Sequence, residues 1–272
     1  VPLFILCACG ALYGVRYGGY DGKTGYSFFL YNILAASLAV VFTARNAVLF
    51  LAAWEIMTLS SFLLVVLDYK NAESRAAGWL YLIATHIGTA CIIALFGMAW
   101  HMGGSAEFSA FPSALAKLPF AAVAFLAVVG FGTKAGFFPL HVWLPKAHPA
   151  APSHVSAVMS GIMIKAGVYG LVRTLMLAGD IPFWFGVVLA AIGVISGILG
   201  VLFALAQHDL KSLLAYHSVE NIGIIALGLG VGYMGVAAGR PEIAFVGFAG
   251  GFLHVVNHAF FKGLLFLGPG SV

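Results

Sequence analysis

Long apolar runs, interrupted by short polar patches, follow one another from the first residues of the chain to the last. Most reach the roughly 20 residues that a helix needs to cross a bilayer. Reading the runs between their polar breaks predicts a partial helix over Val1–Tyr13, then spans over Ser27–Ala44, Ala47–Leu67, Ala76–Trp100 and Phe120–Leu144. Further spans are predicted over His154–Leu177, Phe183–Ala206, Leu210–Val231 and Ile243–Leu267, giving eight full spans and one partial span. Strands of a membrane barrel would alternate polar and apolar residues, and these runs do not. The predicted fold class is therefore all-α, a polytopic transmembrane helix bundle. Short connections make neighbouring helices antiparallel within one bundle, and the 34 glycines suit close helix contact in lipid.

One run carries its own interruption. From Phe120 the sequence reads "FAAVAFLAVVGFGTKAGFFPLHVWLPKAHPAAPSHV", with Pro139, Pro145, Pro149 and Pro152 following a glycine-flanked Lys134. Proline removes a helix hydrogen bond and clashes with the preceding turn, so Pro139 should break this span partway across. A broken helix in lipid has to line a protein-buried or wet cavity, because its freed backbone groups need partners, and such helices are typical of transporters. At the ends, the opening stretch from Val1 is too short to span and lacks the basic flank of a leader, and Val272 directly follows an apolar run. Both ends read as cuts through a longer membrane protein.

Composition agrees with the pattern: 62% of residues are hydrophobic and 8% charged, with mean hydropathy +1.05, against about a quarter charged in soluble domains. The formal charge of +4 comes from dispersed basic residues without a cluster, which argues against nucleic-acid binding. Cys7, Cys9 and Cys91 lie in apolar segments without metal-ligand spacing and read as small core residues. Arg16, Lys23, Lys70, Arg75, Lys146 and Lys211 fall in one alternate set of connections, and Arg45, Lys117, Arg173 and Arg240 in the other. The positive-inside rule places the larger set in the cytoplasm.

Against this background the ionisable residues within the spans carry the chemistry. Glu55 and Lys134 lie near mid-membrane, and Lys165 lies well inside its own span. His217 and Glu220 are three apart on one helical face, and His254, His258 and Lys262 form a stripe at i, i+4 and i+8. Each charge at a helix centre costs roughly 2.5–3.5 kcal/mol on the insertion scale, so these groups must face one another or water. A structural ion pair between Glu55 and a lysine is one reading, and a proton or ion path is the other. His141, Lys146, His148 and His154, among the prolines, read as an interfacial cluster rather than a relay. His86 and His101 carry little signal, and Trp54, Trp79, Trp100, Trp143 and Trp184 read as packing or interfacial anchors. The His254/His258 pair lacks the following glutamate and third ligand of a helix-borne zinc site, and it points one way, unlike haem ligands on separate helices.

The segments "WEIMTLSSFLLV", "GFGTKAGFFPLHVWLPKAHPAAPSHVSAVMSGIMIKAGVYGLVR", "LLAYHSVENIGII" and "HAFFKGLLFLG" resemble the antiporter-like membrane subunits shared by respiratory complex I, Mrp cation/proton antiporters and membrane-bound hydrogenases. The resemblance runs from about Gly14 onward. "AYHSVENIGII" and "LPKAHPAAPSHVSAVMSG" look most like the hydrogenase-4 and formate hydrogenlyase branch. The resemblance implies inverted five-helix repeats, with residues 1–26 as a partial helix and loop, 27–177 as the first repeat and 178–272 as a truncated second repeat. It implies that Glu55 is the family's fifth-helix glutamate, Lys134 the lysine of the broken seventh helix and Lys165 the eighth-helix lysine. His254, His258 and Lys262 then match the polar stripe of the eleventh helix.

From the resemblance follow a multi-pass location in a prokaryotic cell membrane, no cofactor in this chain, and partners in other membrane subunits and a peripheral redox arm of hydrogenase or NADH dehydrogenase type. The expected mechanism is proton transfer, with Glu55 and Lys134 as a switchable pair and Lys165 passing the proton towards His258 and Lys262. A secondary Na+/H+ antiporter without a redox arm, or a non-conducting scaffold, would account for the same residues differently.

Overall fold

A computed structural model describes residues 1–17 and 24–270; Lys23, one of the basic residues used for orientation, lies outside them. The helices are α1 (Pro2–Tyr17), α2 (Thr24–Thr43), α3 (Ala47–Val65) and α4 (Ala72–Gly103). A short α5 (Phe111–Leu115) leads to α6 (Phe120–Ala135) and α7 (Leu144–Ala150). Next come α8 (Ser153–Val158), α9 (Ile164–Ala178), α10 (Phe183–Leu205), α11 (Leu210–Ala237) and α12 (Pro241–Leu267). Polar residues mark where helices start: Asn46 Oδ1 accepts from the backbone N–H groups of Val48 and Leu49, and Asp209 accepts from Ser212 N–H. Asn71 does the same for α4 by accepting from Glu73 N–H.

Among the described residues, seven helical segments are long and apolar enough to cross a membrane. The chain is thus an all-helical, multi-pass membrane protein. The count of eight full spans is corrected at one place: the run predicted over Phe120–Leu144 forms a helix of 16 residues that stops at Ala135. The stop falls four residues earlier than Pro139. Gly136 takes the left-handed conformation at φ 88°, and both Gly136 N–H and Phe137 N–H donate to Gly132 O. Glycine ends the helix, and the proline prevents it from resuming before α7.

The break is held by protein groups, as lipid requires. Trp143 Nε1 donates to Thr133 O at 2.8 Å, and Phe138 N–H donates to Ser196 Oγ on α10 at 3.0 Å. Around α7, Ser156 Oγ donates to His148 O at 2.9 Å and Lys211 Nζ to Ala151 O at 2.9 Å.

Helix α8 continues into α9 through a π-helical turn over Met159–Met163. This continuous segment, Ser153–Ala178, is the axis of the bundle: 89% of its most apolar window is buried, against 33% for α10 and 28% for the segment containing α12. Helices α1, α2, α6 and α12 pack around it, and α11 joins α10 to α12. Beside the axis, α3, α4 and α6 share a core of aromatic rings built on Phe50, Trp54, Phe96 and Phe131. The outer faces stay apolar, as at Val194, Ile198 and Leu202 of α10 and Ile83 and Ile87 of α4. Of the cysteines, only Cys7 is buried; Cys9 is exposed and Cys91 intermediate, which corrects their reading as core residues, because both lie on outward faces of their helices.

Candidate functional site

Two polar clusters occupy the interior of the bundle. The first joins α3, α4 and α6. Lys134, at the last turn of α6, is 1% exposed. Its Nζ donates to Thr58 Oγ1 at 2.8 Å and to Tyr81 Oη at 3.1 Å, and it stands 5.1 Å from the Tyr81 ring centroid. Tyr81 Oη shares a 2.6 Å hydrogen bond with Ser61 Oγ. Thr58 and Ser61, three residues apart on α3, are both buried and present their hydroxyls to Lys134 and Tyr81 respectively.

Glu55 does not meet Lys134 within ion-pair distance. Its Oε2 lies 3.2 Å from His86 Nε2 on α4, with the two side chains 30% and 45% exposed. Position 55 turns towards the outer side of α3, whereas position 58 turns inward, so Thr58 takes the place at the lysine that was expected of Glu55. His86, which carried little signal in the sequence, is therefore the partner of the glutamate.

The second cluster joins the axis to α11 and α12. Lys165 Nζ donates to Ser160 O inside the π-helical turn. Ser160 Oγ and Ser218 Oγ are 2.8 Å apart, and Ser218 Oγ donates to Leu214 O at 3.0 Å. The same carbonyl accepts from Lys262 Nζ at 2.8 Å. A string of contacts thus runs from Lys165 on α9 across α11 to Lys262 on α12.

Along α12 the rings of His254 and His258 are nearly parallel, 6.1 Å apart. His254 Nε2 meets Asn221 Oδ1 at 2.8 Å, Asn221 Nδ2 donates to His217 O at 2.6 Å, and His217 Nδ1 contacts Glu220 Oε2 at 2.5 Å. The stripe of His254, His258 and Lys262 and the face shared by His217 and Glu220 are thereby brought into one cluster. Between the clusters, Tyr81 Oη lies 3.7 Å from Met163 Sδ, two residues before Lys165 on the axis.

The residues among the prolines are placed by α7. His141, His148 and His154 are 7%, 0% and 1% exposed, so they lie inside the protein rather than on its surface; only Lys146 is exposed. The reason is the placement of α7, which packs against α4 and α11 and turns His148 inward. His148 stacks on Phe266 at 4.6 Å and lies within Coulombic reach of Lys262, Lys211 and Lys165. Neither ring nitrogen of His148 or of His258 has a hydrogen-bond partner in the protein. Trp54 and Trp143 are buried packing residues, whereas Trp79, Trp100 and Trp184 are exposed on the outer surface. Among the described residues no three histidine, cysteine or carboxylate side chains gather as ligands for a metal ion.

All three buried lysines, Lys134, Lys165 and Lys262, are held by hydroxyl or carbonyl oxygens, and none is in an ion pair. The ion pairs among the described residues are His86–Glu55, His217–Glu220 and Arg240–Glu242. A polytopic bundle with a broken helix and a line of buried lysines and histidines defines the class of antiporter-like membrane subunits. The chain belongs to the family described as "NADH:quinone oxidoreductase/Mrp antiporter, TM", whose profile matches residues 44–272.

Relatives include hydrogenase-4 component B of Escherichia coli (strain K12), 43% identical over 99% of this chain and 40% of that protein. Formate hydrogenlyase subunit 3 of the same organism is 36% identical over 89% of this chain and 39% of its own length. The chain thus spans about 40% of the length of these curated relatives. Among solved structures, the Mrp complex from Dietzia sp. DQ12-45-1b matches with a TM-score of 0.82 at 30% identity, covering 97% of this chain and 28% of that one. The membrane-bound sulfane sulfur reductase, an archaeal respiratory membrane complex, matches with a TM-score of 0.81 at 30% identity, covering 97% and 43%.

Proposed function

We propose that this chain carries protons through the membrane arm of a redox-driven complex of the hydrogenase-4 and formate hydrogenlyase type or the complex I type. The observation that carries the reading is the state of the three buried lysines. A lysine kept only for stability inside a membrane bundle would be matched to a carboxylate or replaced by an apolar residue, since an unmatched buried charge is strongly destabilising. Here each lysine faces neutral oxygens instead, and neither its charged nor its neutral form is locked by an ion pair.

Lys134 takes a proton in the first cluster, where the hydroxyls of Thr58 and Tyr81 accept from its nitrogen in either state. Lys165 receives it on the axis; Ser160, Ser218 and the Leu214 carbonyl line the way to Lys262, and water beside them carries the proton across. His258 and His148, with unpaired ring nitrogens, are places for water to complete this line, because buried polar atoms need partners. His254, Asn221, His217 and Glu220 extend it along α11 and α12. Moving one charge against 100 mV costs about 2.3 kcal/mol, so the energy comes from outside the chain. The relatives that carry the names hydrogenase-4 and formate hydrogenlyase support a redox arm as its source. Other membrane subunits and the peripheral arm are then the partners, and redox cofactors reside in them.

The test is proton uptake by inverted vesicles containing the complete parent complex, with wild type and Lys134→Ala compared at matched subunit level and electron flux. Uptake is expected to be lost while assembly and electron flow are kept. Equal uptake by the variant overturns the proposal, and failure of the variant to assemble supports a scaffold instead.

A further inference from the structure

The Glu55–His86 contact has a protonation content that geometry alone restricts. His86 Nδ1 lies 2.9 Å from Leu82 O, one turn earlier on α4. A carbonyl oxygen only accepts, so Nδ1 carries a hydrogen and the other nitrogen is free to be bare or protonated. That nitrogen, Nε2, stands 3.2 Å from Glu55 Oε2. Were both atoms bare, two lone pairs would face each other at that distance, with a net negative charge on a surface otherwise formed by Leu59, Ile83 and Ile87. One proton between them removes the repulsion and makes the pair neutral, as either carboxylate with imidazolium or carboxylic acid with imidazole.

The groups that face this pair are few. Thr58 lies one turn along α3, Tyr81 projects from α4, and Lys134 on α6 is within Coulombic reach of Glu55. Glu55 Oε1 is buried and has no hydrogen-bond partner in the protein. It is the oxygen of the pair left without a partner, while Oε2 is engaged by His86.

We infer that His86 is a proton-holding partner of Glu55, and that Glu55, His86 and Lys134 together hold one mobile proton among three sites. With the proton on the Glu55–His86 pair, the pair is neutral and Lys134 is a neutral amine. With the proton on Lys134, a bare carboxylate faces an ammonium. One N–H or O–H bond breaks at the pair and one N–H bond forms at Nζ, with water carrying the proton between them; no electrons leave the cluster. Its net charge is zero in both states, so the transfer avoids placing an unmatched charge in the apolar interior. His86 thereby sets when Glu55 becomes the counter-charge of Lys134. This assignment deepens the proton-path reading and rests on it for its role in transport, although the shared proton itself does not.

The experiment is infrared pH titration of the purified parent complex with labelled histidine, comparing wild type, His86→Gln and Glu55→Gln, alongside uptake in inverted vesicles. In wild type, a carboxyl band and a labelled imidazole band are expected to change in one coupled step, and both changes disappear in Glu55→Gln. In His86→Gln the carboxyl is expected to titrate alone, and uptake to fall on the order of tenfold with a displaced pH profile. The wild-type spectrum needs no variant to fold: an imidazole that titrates independently of any carboxyl overturns the inference. So does His86→Gln with the uptake, pH profile and spectrum of wild type. If Lys134→Ala pumps normally while the coupled bands persist, the transport reading fails and the shared proton stands. If Lys134→Ala loses uptake and no coupled bands exist, the His86 assignment alone fails.

Discussion

Tyr81 is the residue at which most of the first cluster meets. Its oxygen accepts from Lys134, pairs with Ser61 and reaches towards Met163, and its ring stands 4.8 Å from that of Trp143 at the helix break. Replacing Tyr81 with phenylalanine keeps the ring packing and removes only the hydroxyl. A hydrogen bond to a charged group contributes about 1.5–3 kcal/mol, and leaving its partner buried adds to the loss. Tyr81→Phe is therefore expected to lower stability by about 1–3 kcal/mol in thermal unfolding and to slow proton uptake. Unchanged melting and unchanged uptake would show that Thr58 alone is enough to hold Lys134. The sequence singled out Lys134 but not Thr58, Ser61 or Tyr81, because a hydroxyl within a span bonds its own helix at little cost and carries no signal of its own.

At the scale of elements, close helix approach and the broken helix decide the arrangement. A Cβ on Gly193 of α10 would sit 2.5 Å from Leu227 N and 2.6 Å from Gly223 O, both backbone atoms of α11. Backbone cannot move aside cheaply, so glycine at this position permits the α10–α11 contact. On the same helix Gly197 has open space around its Cβ direction. Gly193→Ala is expected to cost about 1–3 kcal/mol by overpacking, whereas Gly197→Ala is neutral or slightly stabilising. Thermal unfolding of the complex in detergent separates the two, and equal melting would remove α10–α11 backbone contact as the reason. The interruption after Lys134 was legible from its glycines and prolines. The π-helical turn before Lys165, which supplies the Ser160 carbonyl to its amine, has no comparable mark in "SAVMSGIMIK".

Across the described residues the basic side chains of the connections divide between two ends. Asp68, Asn71, Glu73, Lys146 and Asp209 line one cavity of about 760 Å³ at the end where α3 finishes and α4 and α11 begin. At the opposite end Asn46 Nδ2 donates to Glu107 Oε1 at 2.9 Å, and the Arg173 guanidinium stands 4.5 Å from the Phe108 ring centroid. The alternate connections grouped by their basic residues thus lie at opposite ends. The positive-inside rule makes the cavity end cytoplasmic. In a parent complex cleared of reactive cysteines, Asn71→Cys is expected to react with a membrane-impermeant thiol reagent from the cytoplasmic side alone, and Ser105→Cys from the other side alone. Reversed labelling would invert the orientation.

The sequence by itself determined the class of the fold, because the length and polarity of each run decide what can cross a bilayer without reference to any other run. It also singled out Glu55, Lys134, Lys165 and the stripe of α12, since a charge in an apolar run is costly wherever the helix packs. The tertiary structure decided the partners. Glu55 turned to His86, Lys134 to two hydroxyls, and His148 to the ring of Phe266. Partner choice depends on which faces of separate helices meet, and facing is set by crossing and rotation of helices that lie far apart in sequence.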